Sequence, residues 1–462
     1  MAKAWITTTL LFLFLALPTH ADPIMRIASE SWSAADERGY GEFITAIGQS
    51  NCRTVAQCIA HPANPFRASD PEGFRFHADC ADLPYFLRFY YAWKRGLPFS
   101  YVRHVTPRGR SRDIRYSLRG NQVASRRDVL SGENALRLIN QLRDQISSAT
   151  YRIHPELGGD DLYSAGLDAR SIRPGTVIYD PNGHLAVIWK VERDGRIRYI
   201  DAHPDNSLTR GTYDLRFVRS SPGMGSGFKN WRPSKLVGAT RAPDGTLVGG
   251  RIALAANVQI SDFALTQYFG TELLKMTPRP ADSQWRGGAF ILNGAAMDYY
   301  DYVRASLSGG RLRFDPIREI AEMILSNCAD LSWRAEAVQL SLAAGIQNRP
   351  APTRLPINIY GTEGDWETSS TPSRDARLKT AFKEVRDTAE RFLPLWRARD
   401  AQLVYNGFDL ATDLLTTHER AAAQCVVSYR RSDGSEIRFG YEEARRRLFA
   451  MSFDPHHCVE RR

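Results

Sequence analysis

The spacing of apolar residues predicts a helix that begins close to residue 80. In the stretch 77–98, HADCADLPYFLRFYYAWKRGLP, apolar side chains recur at intervals of three and four, which gives a helix one continuous apolar face. Asp79 and Pro84 suit its first turns, and Gly96 suits its end after Lys94 and Arg95. We expect this helix to pack on a sheet through the following residues: Leu83, Phe86, Leu87, Tyr90, Tyr91 and Lys94.

Further along the chain, β-branched and aromatic runs predict strands. PGTVIYD at 174–180, HLAVIWKVE at 184–192 and RIRYIDAH at 196–203 are separated by Pro-Asn-Gly and Arg-Asp-Gly, which are good turn sequences. These runs therefore predict an antiparallel meander. Between the helix and the meander, the arginine-rich segment 104–128 is expected to form a loop and 131–149 a second amphipathic helix.

The second half of the chain has mostly helical spacing. Glycine and proline recur over 222–249, which indicates a loop-rich domain boundary. Beyond it, VVSYRRSDGSEIRFGY predicts one hairpin with an Asp-Gly turn. We expect an α+β protein with two domains, 22–245 and a mainly helical 246–462. Helices are predicted at 295–308, 316–345, 374–393 and 441–451, with Thr371 and Pro372 at the start of the third.

The first residues have the features of a secretory signal. Lys3 supplies a positive charge, ITTTLLFLFLALP supplies a short apolar stretch, and Ala21 is a small residue at its end. We therefore expect a signal peptide over 1–21, cleaved after Ala21, and a periplasmic or secreted protein. Neither the leader nor any later segment is long and apolar enough to predict an integral membrane span of the mature chain.

Charge and composition narrow the partners. The net charge of +10 suits attraction to anionic cell-envelope polymers, or simply a solvated basic surface. The basic residues are spread along the chain without a nucleic-acid-binding motif, so we expect no nucleic acid partner. The acidic cluster Glu363, Asp365 and Glu367 lacks the full calcium-loop spacing, and His456, His457 and Cys458 lack a second cluster. We expect no metal and no cofactor.

Cys80 is the first candidate for chemistry. A thiol at a helix start lies near the positive end of the helix dipole, which favours the thiolate and makes Cys80 a candidate nucleophile. A buried or disulfide-bonded cysteine is the alternative. Cys52 and Cys58 are close enough in sequence to close a small loop. The chain has six cysteines, so a free Cys80 leaves a second cysteine without a disulfide partner. This argues mildly against the hypothesis that Cys80 is a nucleophile.

A cysteine nucleophile needs a base and a group that orients the base. His184 opens a predicted strand directly after a glycine turn, so its ring projects from a rigid element. Asp201 lies on the neighbouring strand, within reach of an imidazole N–H. His203 and Asn206 are further candidates for the orienting role. Each residue also has a plainer explanation, as a strand-end surface histidine or a turn-forming aspartate.

The order of these residues resembles the transglutaminase-like branch of the papain-like cysteine enzymes. DCADLPYFLRFYYAWKRGLPFSYV is similar to that family's Asp-Cys, helix and Gly-Leu-Pro pattern, and GHLAVIWKV with YIDAHPD is similar to its histidine strand and following aspartate. PGTVIYD before GHLAVI also resembles the NlpC-type and CHAP envelope peptidases. The resemblance covers about a quarter of the chain and implies a papain-like core with Cys80 as nucleophile, His184 as base and Asp201 as orienter.

The chain departs from that pattern in three respects. About a hundred residues separate Cys80 from His184, which requires a looped-out insertion, and Pro84 replaces a small residue of the family's helix. No oxyanion side chain stands out, so the backbone N–H of Cys80 is the expected donor, with His77 as a weaker candidate.

These residues lead to an expected activity. We expect an exported cysteine hydrolase or acyltransferase that acts on amide bonds of a peptide, protein or peptidoglycan stem peptide through an acyl-enzyme. The alternative is a non-catalytic envelope-binding protein on the same core, with Cys80 in a disulfide.

Overall fold

The computed structural model describes residues 23–350 and 372–450, without the side chains of residues 372 and 373. Helices and strands both occur along most of this length. The helices are α1 Ala34–Gln49, α2 Val55–Ala60, α3 Asp82–Arg95, α4 Ala135–Gln145, α5 Ser148–Tyr151, α6 Thr266–Met276, α7 Tyr299–Leu307, α8 Pro316–Ala343, α9 Pro372–Arg397, α10 Leu410–Ala423 and α11 Tyr441–Arg446. The strands are β1 Phe99–Pro107, β2 Asn121–Val129, β3 Leu162–Ser164, β4 Val177–Tyr179, β5 Leu185–Val191, β6 Ile197–Ala202, β7 Leu208–Thr212, β8 Gly227–Trp231, β9 Ser234–Val237, β10 Thr240–Arg241, β11 Leu247–Val248, β12 Arg251–Leu254, β13 Phe290–Leu292, β14 Ala295–Met297, β15 Val426–Arg430 and β16 Glu436–Gly440.

A six-stranded antiparallel sheet in the order β3-β8-β4-β5-β6-β7 forms the centre of the first half. Tyr179 pairs with Leu185 across the first turn of the predicted meander, and Val187 pairs with Ile200 across the second. The predicted meander is therefore confirmed, and the mixed helix and antiparallel sheet agree with the α+β class.

Helix α3 lies against one face of this sheet. It ends at Gly96, whose left-handed backbone (φ 64°) suits glycine, as the sequence predicts. The sequence predicts that α3 buries a single apolar face, but almost every residue of the helix is buried. Even Arg88 is 4% exposed, and its guanidinium pairs with Glu37 and lies over the ring of Trp32. The helix is a core element enclosed by α1, α4 and the sheet.

Two core clusters occupy the two faces of the sheet. Leu185, Val187 and Ile200 belong to the cluster that includes α3. Ala186 and Ile188, which alternate with them along β5, belong to a second cluster with Phe217 and Phe228. This alternation follows from the period of two along a strand. It determines which side chains of the candidate site are on the same face.

The prediction of a loop or excursion over 104–128 is correct for residues 108–120 and wrong for the strands on either side of them. Strands β1 and β2 pair from Phe99 with Val129 to Pro107 with Asn121. The outer part of this hairpin is largely open to solvent, so its strands need no alternation of apolar and polar residues. The polar, arginine-rich sequence therefore gives no strand pattern. The predicted helix over 131–149 is broken into α4 and α5, with Ser147 at the start of the second.

The second half has its own core, formed largely by α8, α9, α10 and the hairpin β15-β16. The Asp-Gly hairpin is confirmed. The region predicted to be helical over 295–308 begins with β14 and continues as α7. Thr371 lies outside the described residues, so its capping role stays a prediction. The domain division at residue 245 also stays a prediction.

Four cysteines form two disulfides, Cys52–Cys58 and Cys328–Cys425. The first was expected from spacing, whereas nothing in the sequence singled out the second. Disulfides persist in oxidising compartments, which agrees with a protein that leaves the cytoplasm. The candidate leader over 1–21 lies outside the described residues. No described helix combines the length and apolar character that crossing a bilayer requires.

The two disulfides should contribute unequally to stability. Cys328 and Cys425 are 97 residues apart and Cys52 and Cys58 are 6 apart, so loop-closure entropy predicts losses of about 5 and about 2 kcal/mol, respectively, when each pair is replaced by serine. Urea unfolding of the two double variants measures this difference. Equal losses would contradict the chain-entropy account.

Candidate active site

Cys80 lies just before α3, at the point where the chain turns into the helix. The carboxylate of Asp79 accepts hydrogen bonds from the backbone N–H groups of Ala81 (2.8 Å) and Asp82 (3.0 Å), which satisfies donors that a helix start leaves open. The hydroxyl of Tyr151 donates to the carbonyl of Ala81 at 2.6 Å. These contacts hold the turn that carries Cys80 in one position.

The Cys80 sulfur contacts the main chain on both sides of residue 184. It donates to the carbonyl oxygen of Gly183 at 3.7 Å, and the N–H of Leu185 interacts with it from the other side. Gly183 has φ +97°, in the left-handed region that favours glycine. Cys80 is half-buried and forms no disulfide with any described residue.

The thiol of Cys80 is in an environment that favours the protonated form. Burial raises its pKa well above the usual range, the charge of Asp79 raises it further, and the Leu185 N–H lowers it only in part. This differs from the thiolate that the helix start predicts. The physical reason is first the burial of the thiol, and then Asp79, which occupies the N–H groups at the helix start and brings a negative charge to the sulfur.

Two carboxyl groups next to the sulfur share this environment. Burial raises the pKa of Asp79, and burial together with the charge of Asp79 raises that of Asp82 well above its usual range. One oxygen of Asp82, Oδ1, is buried without a hydrogen-bond partner among the described residues. The surroundings of the start of α3 therefore favour the protonated forms of Cys80, Asp79 and Asp82.

His184 and Asp201 form a buried imidazole–carboxylate pair. The Nε2 atom of His184 is 2.7 Å from Oδ2 of Asp201, and both side chains are about nine-tenths buried. Since a carboxylate accepts, Nε2 carries the proton of the neutral ring and Nδ1 carries the lone pair. Nδ1 forms no hydrogen bond with another described residue. The ring is thus in the tautomer that a general base needs.

The pKa values support a neutral ring and an ionised carboxylate. Burial lowers the pKa of His184, as does the positive charge of Arg377, and the bond to Asp201 offsets this only in part. Burial opposes ionisation of Asp201, but His203, His184 and Thr209 together hold its pKa well below the usual range. At neutral pH, His184 is therefore an uncharged base beside a carboxylate anion.

The other sequence candidates occupy different positions. His203 lies across the strands from His184, with ring centroids 5.6 Å apart, and its Nε2 bonds Oγ1 of Thr209 at 3.0 Å. Burial and the charge of Arg374 lower its pKa to about 3. Asn206 is a turn residue with φ +64°. His77 is exposed and makes no hydrogen bond to another described residue. Among the sequence candidates for the orienting role, Asp201 is the residue that forms a hydrogen bond with His184.

The structure does not join all three residues by hydrogen bonds. The sulfur packs with the core cluster that includes α3, on the face of Leu185. The His184 ring has the opposite parity and lies against Phe217, with centroids 6.0 Å apart. No hydrogen bond between the sulfur and the imidazole occurs among the described residues. The sulfur contacts the main chain of Gly183 and Leu185, the two neighbours of His184 at the start of β5.

Several groups at the site have no signal in the sequence. Thr209 donates to Oδ1 of Asp201. Arg374 of α9 pairs with Asp205, which follows Asp201 in the chain. Arg377 of the same helix approaches Asp180 at 3.7 Å. Only the strand parity of Thr209 on β7 could have suggested its role. The two arginines come from the helical half, and no local pattern indicates that they reach the sheet.

The backbone N–H of Cys80 is the expected donor to an oxyanion. It donates to no acceptor among the described residues, so it remains available for a substrate oxygen.

Within residues 23–350 and 372–450, no three histidine, cysteine or acidic side chains cluster as metal ligands would. The acidic cluster at 363–367 and the residues 456–458 lie outside these ranges.

Comparison with protein-family models, curated proteins and solved structures finds no match to this chain.

Alkylation of Cys80 should be slow at neutral pH and should still be accelerating above pH 9, because its thiol pKa is raised well above the ordinary value of about 8.5. The folded protein is treated with iodoacetamide across a pH series, and peptide mass spectrometry assigns the label to Cys80. Rapid labelling at mildly acidic pH would instead reveal a stable thiolate and contradict this expectation.

Proposed function

We propose that the chain is an exported thiol-dependent enzyme that transfers the acyl group of an amide to water or to an amine. Cys80 is the nucleophile, His184 the general base and Asp201 the group that orients the base. The observation that carries this proposal is the 2.7 Å bond from His184 to Asp201, directly beside main chain that also contacts a free, half-buried sulfur.

The reaction follows from the positions of the free atoms. Nδ1 is bonded to the ring carbon that carries Cβ, so it is the ring nitrogen nearer to the main chain, and the sulfur contacts the main chain of the two flanking residues, Gly183 and Leu185. Nδ1 takes the proton from the Cys80 sulfur, and the sulfur forms a bond to the carbonyl carbon. The backbone N–H of Cys80 then donates to the carbonyl oxygen as it becomes negative.

The second half of the reaction returns the enzyme to its starting state. The amide C–N bond breaks as the leaving nitrogen takes the proton from His184, which leaves a thioester on Cys80. Water or an amine then gives up a proton to His184 and attacks the thioester, and the C–S bond breaks as the Cys80 sulfur takes that proton back from His184. Hydrolysis and cross-linking differ only in this acceptor.

The raised pKa of the thiol agrees with a requirement for the base. A sulfur that is protonated at rest reacts only when a base removes its proton during the attack, and His184 is neutral and therefore able to do so. Catalytic hydrogen bonds are often long before substrate binds. Closure of the sulfur on Nδ1 is then a step that substrate binding completes.

The compartment supports a particular class of substrate. Two disulfides and the leader-like sequence over 1–21 suit an exported protein, so we propose peptides or peptidoglycan stem peptides as acyl donors. This substrate class rests on location and charge, since the comparisons provide no relative of known activity.

One observation favours the alternative, a non-catalytic envelope-binding protein. The Cys80 sulfur and the His184 ring are associated with different faces of the sheet, and the thiol pKa is raised. In that case the sulfur is a buried structural group and the helical half carries the interaction. Activity of the following variants separates the two proposals.

Replacing any of the three residues should abolish turnover. We expect C80A, H184Q and D201N to lower the release of peptides from peptidoglycan by about a hundredfold or more, because they remove the nucleophile, the general base and the group that orients the base, respectively. His418 and Glu442 form a matched histidine–carboxylate pair at 2.6 Å in the helical half, so H418Q is the control and should retain activity. Full activity in C80A would exclude the thiol mechanism and favour the binding protein.

The pH dependence of turnover should have an acid limb below about pH 6.5. The pKa of His184 is lowered, so its neutral, base form persists through neutral and mildly acidic pH and is lost only as the pH falls through the lowered value. Measuring kcat/KM between pH 4 and 9 tests this direction. An acid limb centred above pH 7 would mean that His184 is not the titrating base.

A further inference from the structure

The hairpin β1-β2 ends in a segment with an unusual excess of positive charge. The segment 108–120, RGRSRDIRYSLRG, is here called the hairpin tip, and it contains five arginines and a single aspartate. Asp113 pairs with Arg115 at 2.7 Å. The other four arginines form no ion pair or side-chain hydrogen bond with a described residue: Arg108, Arg110, Arg112 and Arg119.

The hairpin that carries these charges is held firmly to the core of the first half. The buried carboxylate of Asp161 accepts from the hydroxyl of Tyr85 in α3 at 2.7 Å and from the N–H of Val102 in β1 at 2.6 Å. It also pairs with Arg126 of β2 at 2.5 Å. One buried group therefore joins both strands of the hairpin to the helix that follows Cys80.

The tip itself is tied to the turn that precedes His184. Arg152 donates from Nε to the carbonyl of Ser117 at 2.7 Å and from Nη1 to the carbonyl of Pro181 at 2.8 Å. A Cβ atom on Gly183 would be 3.5 Å from the hydroxyl of Tyr116. Tyr116 of the hairpin tip therefore lies close to Gly183, whose carbonyl oxygen accepts from the Cys80 sulfur.

The positions of the four unpaired arginines suit recognition of anions. Arg110, Arg112 and Arg119 are exposed and Arg108 is half-buried, so their guanidinium groups are open to a ligand. A guanidinium presents a planar fork of donors that matches a carboxylate. Most arginines elsewhere in the first half are already engaged, as Arg126 and Arg127 are with Asp161 and Glu133.

We propose that the hairpin tip selects acyl donors that carry carboxylates next to the amide attacked by Cys80, which makes the substrate an acidic peptide. This deepens the proposed function and rests on it. The tip raises the local concentration of anionic ligands at the sulfur and orients them through guanidinium–carboxylate pairs. The specificity of the enzyme is then provided by a segment that the sequence alone suggests is only a loop.

The test compares two alkylating agents of nearly equal size and different charge. Iodoacetate is an anion and iodoacetamide is neutral, so the ratio of their rates at Cys80 reports the local potential. Replacing Arg108, Arg110, Arg112 and Arg119 by glutamine should lower the ratio of the iodoacetate rate to the iodoacetamide rate about three- to tenfold at low salt, and the ratio cancels any change in the thiolate fraction of Cys80. Added salt should reduce the same ratio in the unaltered protein.

A control variant with the same change in net charge makes this result specific. Arg397, Arg420, Arg438 and Arg446 are exposed residues of the helical half without ion pairs to described residues, and all four are replaced by glutamine. This control should keep the full preference for iodoacetate. Equal losses in the two variants, or no loss in the tip variant, would overturn the proposal. Thermal melting of both variants verifies that they remain folded.

A second measurement uses peptides and does not require turnover. The peptide Ala-Glu-Ala-Glu-Ala-Glu should protect Cys80 from iodoacetamide in the unaltered protein, whereas the same peptide with glutamine in place of glutamate should not. The tip variant should lose this protection. Equal protection by the two peptides would overturn the acidic-peptide assignment. If C80A retains activity while these selectivities are present, the proposed enzyme mechanism fails and the anion selection stands.

Discussion

The packing of α3 against the antiparallel sheet is the constraint on which the candidate site depends. The helix is buried on nearly all sides, and its start is held by Asp79 and Tyr151. The sulfur of Cys80 is consequently held against the end of β5, where Gly183 and Leu185 contact it. A shift of one residue in the meander would exchange the two faces and move His184 away from Asp201.

On the face of the sheet that carries His184 and Asp201, the charged groups come partly from the helical half. Asp201 is buried and Asp205 is half-buried, and their carboxylates lie near cationic or titratable groups: His184, His203 and Arg374. Ion pairs in such surroundings add little net stability, but removing one partner of a buried pair typically costs about 3–5 kcal/mol. The helical half therefore influences the charge state of His184 through Arg377 of α9.

The two sides of the candidate site thus have complementary roles. The α3 side retains protons, since the pKa values of Cys80, Asp79 and Asp82 are all raised. The α9 side keeps His184 neutral and Asp201 ionised. Transfer of a proton from the resting thiol to the imidazole is therefore unfavourable, so the proposed attack requires this transfer to be coupled to formation of the bond from sulfur to carbon. The arginine-rich hairpin tip is joined through Arg152 to the turn that precedes His184.

The sequence by itself determined the local elements and one pair of the site. Periodicity predicted α3 with its glycine end, the meander with its turns and the Asp-Gly hairpin, because helix and strand periods and turn chemistry are local properties. The positions of His184 and Asp201 on adjacent strands followed from the same reasoning. Only the tertiary structure decided the hairpin β1-β2, whose solvated arginines mask its strands, and the ionisation of Cys80, which burial and Asp79 reverse. It also brought Thr209, Arg374 and Arg377 to the site, because pairing between distant segments depends on packing that no local pattern records.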